Sequence, residues 1–377
     1  MKKIAPSRWQ SADPSAHVVS DSVPDDPSNR ASPSAQPAWE GLPSRRAAGC
    51  LKKAAAKLQA ATRGHQVRQQ VQIASQGHGV VSTTIRAPRN PLSLSVAPGT
   101  FVSDIQQHLQ TAATFTRVSV SNGTLGIHGT HDYEVARAPQ ELAQSAAPGA
   151  AVINGSYFAH KTGLQTECGE TIESLGCPVG QVAGRRDFIP VPGPWLPDYA
   201  TITANDETIL SGAPLLALDG KRRPIEDADR FHYRIDGKDN PLNRLAGALT
   251  HSSDANERSA VSLVPTQLPA AIKVILHTLT TGGNRKARAT MAQWQTITEL
   301  AAQSVADALL PGHGGAGAST LNLDGGGSVF LGVRQISGVK ILARGGLPDQ
   351  PTRPVANVMA SEAGVASHVL SIRPYRP

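Results

Sequence analysis

Hydrophobic positions fall into three regimes along the chain. Over residues 1–46 they are scattered among Ser, Pro, Asp and Ala without a period. Such a segment cannot bury enough apolar surface to offset its chain entropy, so a disordered leader is expected. From residue 47 to 76 the composition shifts to Ala, Lys, Gln, Leu and Arg, with Leu51, Ala54, Leu58, Ala61, Val67 and Val71 at loose helical spacing. That pattern predicts a basic helix over 47–76. After a short Ser- and Gly-containing link, residues 80–377 alternate strand-like and helix-like patterns. Residues 116–120 and 124–128 flank Ser121-Asn122-Gly123, a hairpin signal. Strands are predicted over 150–154, within 209–218, and over 261–264, 272–279 and 321–324, with helices over 139–146 and 290–310. This interleaving predicts an α+β (or α/β) fold: a single large domain built on a mixed β-sheet with flanking helices.

Composition and charge narrow the picture. Apolar residues make up 40% of 377, enough for a core, and no apolar run is long enough to span a bilayer. Ile4-Ala5-Pro6-Ser7-Arg8-Trp9-Gln10 lacks the continuous apolar stretch of a secretory signal peptide. The +7 net charge is local: residues 41–103 contain no Asp or Glu but carry Arg45, Arg46, Lys52, Lys53, Lys57, Arg63, Arg68, Arg86 and Arg89. Around those basic residues, from 41 to 100, there is no Phe, Tyr or Trp for base stacking, which argues against nucleic acid as the partner. Three cysteines (Cys50, Cys168, Cys177) make no disulfide framework and read as ordinary thiols.

Within the basic segment, Leu58-Gln59-Ala60-Ala61-Thr62-Arg63-Gly64-His65-Gln66-Val67-Arg68-Gln69-Gln70-Val71 fits the calmodulin-binding IQ pattern. Leu58 is the apolar anchor, Gln59 can hydrogen-bond main chain in a lobe's groove, Arg63 and Arg68 suit an acidic rim, Gly64 allows close approach, and Val71 closes the pattern. This is helix-in-groove recognition. An idle solvated helix and an interfacial membrane helix are the alternatives; the Ala-rich face weakens the second.

The richest chemistry lies in Ser319-Thr320-Leu321-Asn322-Leu323-Asp324-Gly325-Gly326-Gly327-Ser328. Leu321 and Leu323 mark a buried strand that delivers Asp324 to its end. Three glycines follow, whose backbone can take positive φ and present successive N–H groups to an anion. A carboxylate beside a phosphate-sized hollow suits cleavage at a sugar-phosphate bond. A tight turn in which Asp324 caps its own backbone is the plainer alternative. Too few histidines and no paired-cysteine spacing define a metal site, and a divalent metal held through Asp324 stays open.

Several segments together resemble the phosphodiester glycosidase family. Ala151-Val152-Ile153-Asn154-Gly155-Ser156-Tyr157-Phe158 is similar to its Asn-Gly strand end, and Glu257-Arg258-Ser259-Ala260-Val261 to its Arg-containing strand. Leu321 to Ser328 resembles its Asn-Leu-Asp-Gly-Gly-Gly-Ser block, and Arg353-Pro354-Val355-Ala356-Asn357 its closing segment. The resemblance covers about 80–377, with departures at Val329, Ser262 and 281–285. It implies hydrolysis of the C1–O bond of a sugar 1-phosphodiester or sugar nucleotide. Asp324 is then expected as nucleophile or base, Arg258 as a fork on phosphate oxygens, and Asn154 as a partner of sugar hydroxyls or water. Gly325, Gly326, Gly327, Ser328, Asn322, Asn357 and Arg353 complete the expected phosphate-binding set, and Glu170 is a weaker second carboxylate. The leader resembles those of bacterial type III effectors, which implies export into a host cytoplasm where calmodulin is available as a possible activator. A non-catalytic phosphosugar- or calmodulin-binding module is the alternative.

Overall fold

The computed structural model describes residues 71–77, 79–88, 100–129, 136–173, 175–225, 229–266, 271–309, 317–364 and 369–377. All lie in one compact unit, Ala56–Pro377; the other unit, Met1–Ala55, falls outside the described residues, as do the leader and the calmodulin pattern up to position 70.

The largest sheet has eight strands in the order β1 (Val71–Gly77), β2 (Val80–Arg86), β3 (Thr114–Val120), β15 (Ile272–Thr280), β14 (Arg258–Pro265), β16 (Ser319–Asn322), β10 (Leu215–Leu218) and β11 (Lys221–Arg222). A five-stranded sheet runs β18 (Gly338–Arg344), β17 (Phe330–Gln335), β5 (Ala151–Asn154), β19 (Asn357–Ala363) and β4 (Gly123–Gly129). A third joins β20 (Leu370–Pro374), β8 (Ala200–Ala204) and β9 (Glu207–Gly212). Two small ribbons pair β6 (Leu164–Gln165) with β7 (Thr171–Ile172) and β12 (Arg234–Ile235) with β13 (Lys238–Asp239).

These strands pair antiparallel in every sheet. The expectation of an α+β or α/β domain on one mixed sheet is therefore overturned. The molecule is β-rich, with several antiparallel sheets and few helices: α1 (Phe101–His108), α2 (Pro139–Ala143) and α3 (Met291–Leu309), plus short 3₁₀ turns. The misleading signal was β15, then α3, then β16, which reads as a parallel crossover. In the fold β14 lies between those two strands and pairs antiparallel with both.

The three larger sheets share one apolar core. Val118, Val261, Leu263, Val274 and Leu321 enter from the first, Ile153, Leu331 and Met359 from the second, and Ile202, Leu210 and Ile372 from the third. Each fully buried side chain of this size contributes roughly 1.5–3 kcal/mol. The far face of the large sheet is covered by α1 and α3 through Ile105, Trp294 and Ile297 packed on Phe115 and Leu279. Hence β14 is buried on both faces and loses the polar alternation of a half-exposed strand.

Two local expectations are corrected. Ser121-Asn122 does turn the chain, with Asn122 at φ 48°. Yet β3 and β4 do not pair as a hairpin; they enter different sheets. Gly123 is required at that corner, because a Cβ there would lie 2.8 Å from both Ser361 Oγ and Val274 Cγ2. Of the helix expected over 47–76, residues 71–76 belong instead to the mostly exposed strand β1, and the rest lies outside the described residues. Among the described residues, no helix is long and apolar enough to cross a membrane.

Candidate active site

Register places the central carboxylate. In the β14–β16 pair Ala260 stands opposite Asn322, and Leu323 N–H donates to the Ser259 carbonyl at 2.9 Å. Two residues beyond that pair, Asp324 and Arg258 arrive at the same end of the sheet. The end of β5 comes in from the second sheet: Asp324 N–H donates to the Gly155 carbonyl at 3.2 Å. Asn154 Nδ2 donates to the Asp324 carbonyl at 2.7 Å and to Ser259 Oγ at 3.0 Å, while its Oδ1 accepts from Phe330 N–H at 3.0 Å.

Asp324, Arg258, Gly325, Gly326, Gly327 and Arg353 line one cavity of about 460 Å³. Tyr157, His160, Lys161, Tyr233, His251, Asp254, Asn256 and Arg288 line it too. The size is in the range of small-ligand sites. Burial pushes the Asp324 carboxyl up to about 6, against the downward pull of Ser328, Arg353 and the Gly325 N–H. The Ser328 hydroxyl faces the carboxylate without completing a hydrogen bond.

The glycine turn is not the open hollow expected. Gly325 N–H donates to Asp324 Oδ1 at 2.9 Å, and Gly326 N–H to the Glu257 carbonyl at 2.9 Å. Gly326 takes φ +60°, and a Cβ on Gly325 would meet the Glu257 carbonyl oxygen at 2.8 Å. These glycines serve tight packing against β14 as much as ligand access.

Other expected site residues bond main chain or neighbouring side chains. Arg258 is buried, and its Nε donates to the Ala289 carbonyl at 3.2 Å. Its Nη2 donates to the carbonyls of His251 and Ser252, each at 3.4 Å, and of Asp254. That edge of the fork holds main chain. Burial lowers its guanidinium to about 10, so it stays charged at neutral pH. Asn154 and Asn357 are buried outside the cavity lining; Asn357 Oδ1 accepts Ser156 N–H at 3.0 Å and its Nδ2 donates to Ser156 Oγ at 2.9 Å. Asn322 Nδ2 reaches the Ala213 carbonyl at 2.7 Å and Tyr157 Oη at 3.0 Å. Glu170 sits on an exposed turn away from the cavity.

Arg353 lines the cavity. It is exposed, and its Nε would lie 3.3 Å from a Cβ on Gly327. It makes no hydrogen bond or ion pair among the described residues. The Arg288 N–H donates to the Arg285 carbonyl at 3.5 Å, but its side-chain Nε is buried and unpartnered. The Asn256–Ala289 bridge brings Arg288 beside β14. Sequence reading missed Arg288, Lys161, Tyr157, His251 and Asp254. Tyr157 accepts from Asn322, which leaves its own proton to donate; burial, then the Asp324 charge, raise its phenol so that it stays neutral. Burial, then Arg353 and Lys161, lower His160. Among the described residues no group of three or more His, Cys, Asp or Glu could hold a metal ion. Cys168 and Cys177 are free thiols.

No protein-family model matches this chain, and no curated protein matches it. Among solved structures, the zebrafish N-acetylglucosamine-1-phosphodiester alpha-N-acetylglucosaminidase catalytic domain, auto-inhibited by its pro-peptide, is 14% identical. The match covers 78% of this chain and 88% of that one, with a TM-score of 0.38. A Burkholderia pseudomallei protein described as exported is 11% identical over 66% and 74% of the two chains, with a TM-score of 0.32. At these scores neither likeness defines a fold or a chemistry for this chain.

Proposed function

We propose that this protein is a hydrolase that cleaves the bond between a sugar's C1 and the oxygen of a phosphodiester or diphosphate, sugar nucleotides included. One observation carries the reading. Asp324 presents a carboxyl of about 6 in a cavity whose other charged walls are mostly cationic, with Arg288, Arg353 and Lys161 available to a phosphate. The order of motifs in the sequence supports the same reaction. At pH 7 Asp324 is largely ionised, fit to attack C1 or to take a proton from water. The arginines, the Gly327 N–H and the Tyr157 hydroxyl answer the charge that develops on the departing phosphate, and preorganised donors stabilise it without rearranging.

The test is incubation with UDP-linked sugars and with a sugar 1-phosphate methyl ester, followed by assay for free reducing sugar. Turnover by the wild type and none by Asp324→Asn is expected; equal rates would remove Asp324 from the chemistry. A second reading, a non-catalytic phosphosugar holder, is favoured by the internal engagement of the Gly325 and Gly326 amides and of the Arg258 fork. Ligand binding by the wild type without turnover would select it.

The proposal extends to calmodulin binding by the part of the basic segment that precedes β1, residues 47–70, and to action in a eukaryotic host cytoplasm. Both rest on the sequence patterns of the leader and of Leu58 to Val71. Calorimetry of the full chain with calcium-free and calcium-loaded calmodulin tests the first, with Gln59→Ala/Arg63→Ala expected to weaken binding. Unchanged heats in that variant would end it.

A further inference from the structure

The cavity carries a second assembly to which the sequence reading gave no role. His251 Nδ1 lies 3.0 Å from Asp254 Oδ2. Its ring stacks on Tyr233, with centroids 4.7 Å apart and planes at 17°. The turn bearing both residues is tied down from below by Arg258 Nη2, which donates to the carbonyls of His251 and Asp254. From the side, Ser253 Oγ donates to the Phe231 carbonyl at 2.7 Å. With Nδ1 committed to a carboxylate, Nε2 becomes the position that exchanges a proton. Stacking on Tyr233 limits ring rotation. The groups facing His251 are Asp254 on its own turn, Tyr233, Arg258 beneath and His160 across the cavity, with Lys161 and Arg353 next to His160.

We propose that His251 is a second proton-carrying residue of this site, passing its Nε2 proton to the phosphate oxygen released from C1, with Asp254 and Tyr233 as its positioning residues. This rests on the hydrolase reading above. The C1–O bond breaks, its electron pair goes to the phosphate oxygen, and that oxygen takes the proton of His251. Water adds its oxygen to C1 and gives a proton to Asp324, and exchange with solvent restores both groups. The match is chemical: the departing phosphate oxygen gains negative charge as the C1–O bond breaks, and a donor held beside it delivers its proton as that charge develops.

Two measurements judge the proposal. The first needs no turnover: the His251 ring is titrated by NMR, assigned with His251→Gln, with and without inorganic phosphate, in wild type and Asp324→Asn. Phosphate is expected to raise the His251 midpoint in both proteins, and an unmoved midpoint overturns the proposal. The second uses the active enzyme. His251→Gln is expected to lose about 10²-fold in kcat on the sugar 1-phosphodiester but little on the matching glycosyl fluoride, whose leaving group needs less proton assistance. Asp254→Asn is expected to show the same split more weakly. Equal losses on both substrates, or none, refute the role of His251 while the hydrolase reading stands. A wild type silent on both substrates refutes the hydrolase reading itself.

Discussion

Two carboxylates meet at the same end of the large sheet and live under opposite rules. Glu257, on the residue before β14, is fully buried. Its Oε1 accepts from Thr281 N–H at 2.7 Å and Thr281 Oγ1 at 3.1 Å, and its Oε2 from Gly346 N–H at 2.7 Å. Asp324 borders the cavity, accepts one main-chain N–H and has its carboxyl raised to about 6. Donors surround the first and fix three segments of chain. The second is left short of donors beside open volume. A carboxylate is available for chemistry when the fold stops short of satisfying it.

Removing the carboxylate at each position is the strongest way to break this contrast. Asp324→Asn should abolish turnover, a loss on the order of 10⁴-fold, with a Tm at neutral pH no lower than wild type. Measurable turnover together with a lowered Tm would make Asp324 another Glu257. Glu257→Ala should do the converse. It strands the Thr281 and Gly346 donors in the interior, and each orphaned buried donor costs about 1–3 kcal/mol. A total of about 3 kcal/mol or more is expected from urea unfolding at unchanged slope. A loss under 1 kcal/mol would show that the Thr281 and Gly346 segments hold without it.

The contrast also marks how far the sequence could be read. Asp324 was legible, because Leu321 and Leu323 alternate into a buried strand and glycines stop it there. The partners of the glycine amides were not: the Glu257 carbonyl that takes Gly326 N–H lies on a strand distant in sequence. Asn154 and Asn357 were legible as belonging near the site, yet their roles are set by long-range bonds to Asp324 and Ser156. Arg288 and His251 carry no motif; the antiparallel bridge at Asn256–Ala289, the grip of Arg258 and the Met291 N–H on the Ser252 carbonyl gather those loops. The signal that could have found His251 was its placement with Asp254 just before the Glu257-Arg258 strand. Helix α3 was read nearly to its ends. The antiparallel order around it was invisible, because strand pairing is decided by which strand inserts between β15 and β16.

Asn154 sharpens the comparison from the scaffold side. Its amide joins the Asp324 carbonyl, Ser259 and Phe330 N–H, so it holds the backbone of the unsatisfied carboxylate in place. Asn154→Ala should cost about 2 kcal/mol, chiefly from the orphaned Phe330 N–H. Because a displacement near 1 Å is costly in rate, kcat should also fall about 10²-fold with KM little changed. A rise in KM at constant kcat would instead put Asn154 in contact with the sugar.

The smallest effect is the most specific to Asp324. Its carboxyl rises from 3.8 to about 6 on folding, chiefly through burial. The native state therefore binds this proton more tightly than the unfolded chain, and stability falls as pH climbs through that window, the deficit being complete above 6. His277 works the other way. Sealed in the core, with Nε2 2.9 Å from Ser262 Oγ, it drops from 6.5 to about 3 through burial and then the Arg117 charge. Its contribution is whole above 6.5 and is lost as pH falls toward 3. The two slopes oppose each other between about 4 and 6, so a wild-type melt alone separates neither. Asp324→Asn removes only the first slope. Its Tm advantage over wild type should be widest above pH 6 and close below pH 4 in a series of thermal melts. A gap that stays constant across that range would mean that Asp324 is as well satisfied as Glu257, and the contrast between the two carboxylates would disappear.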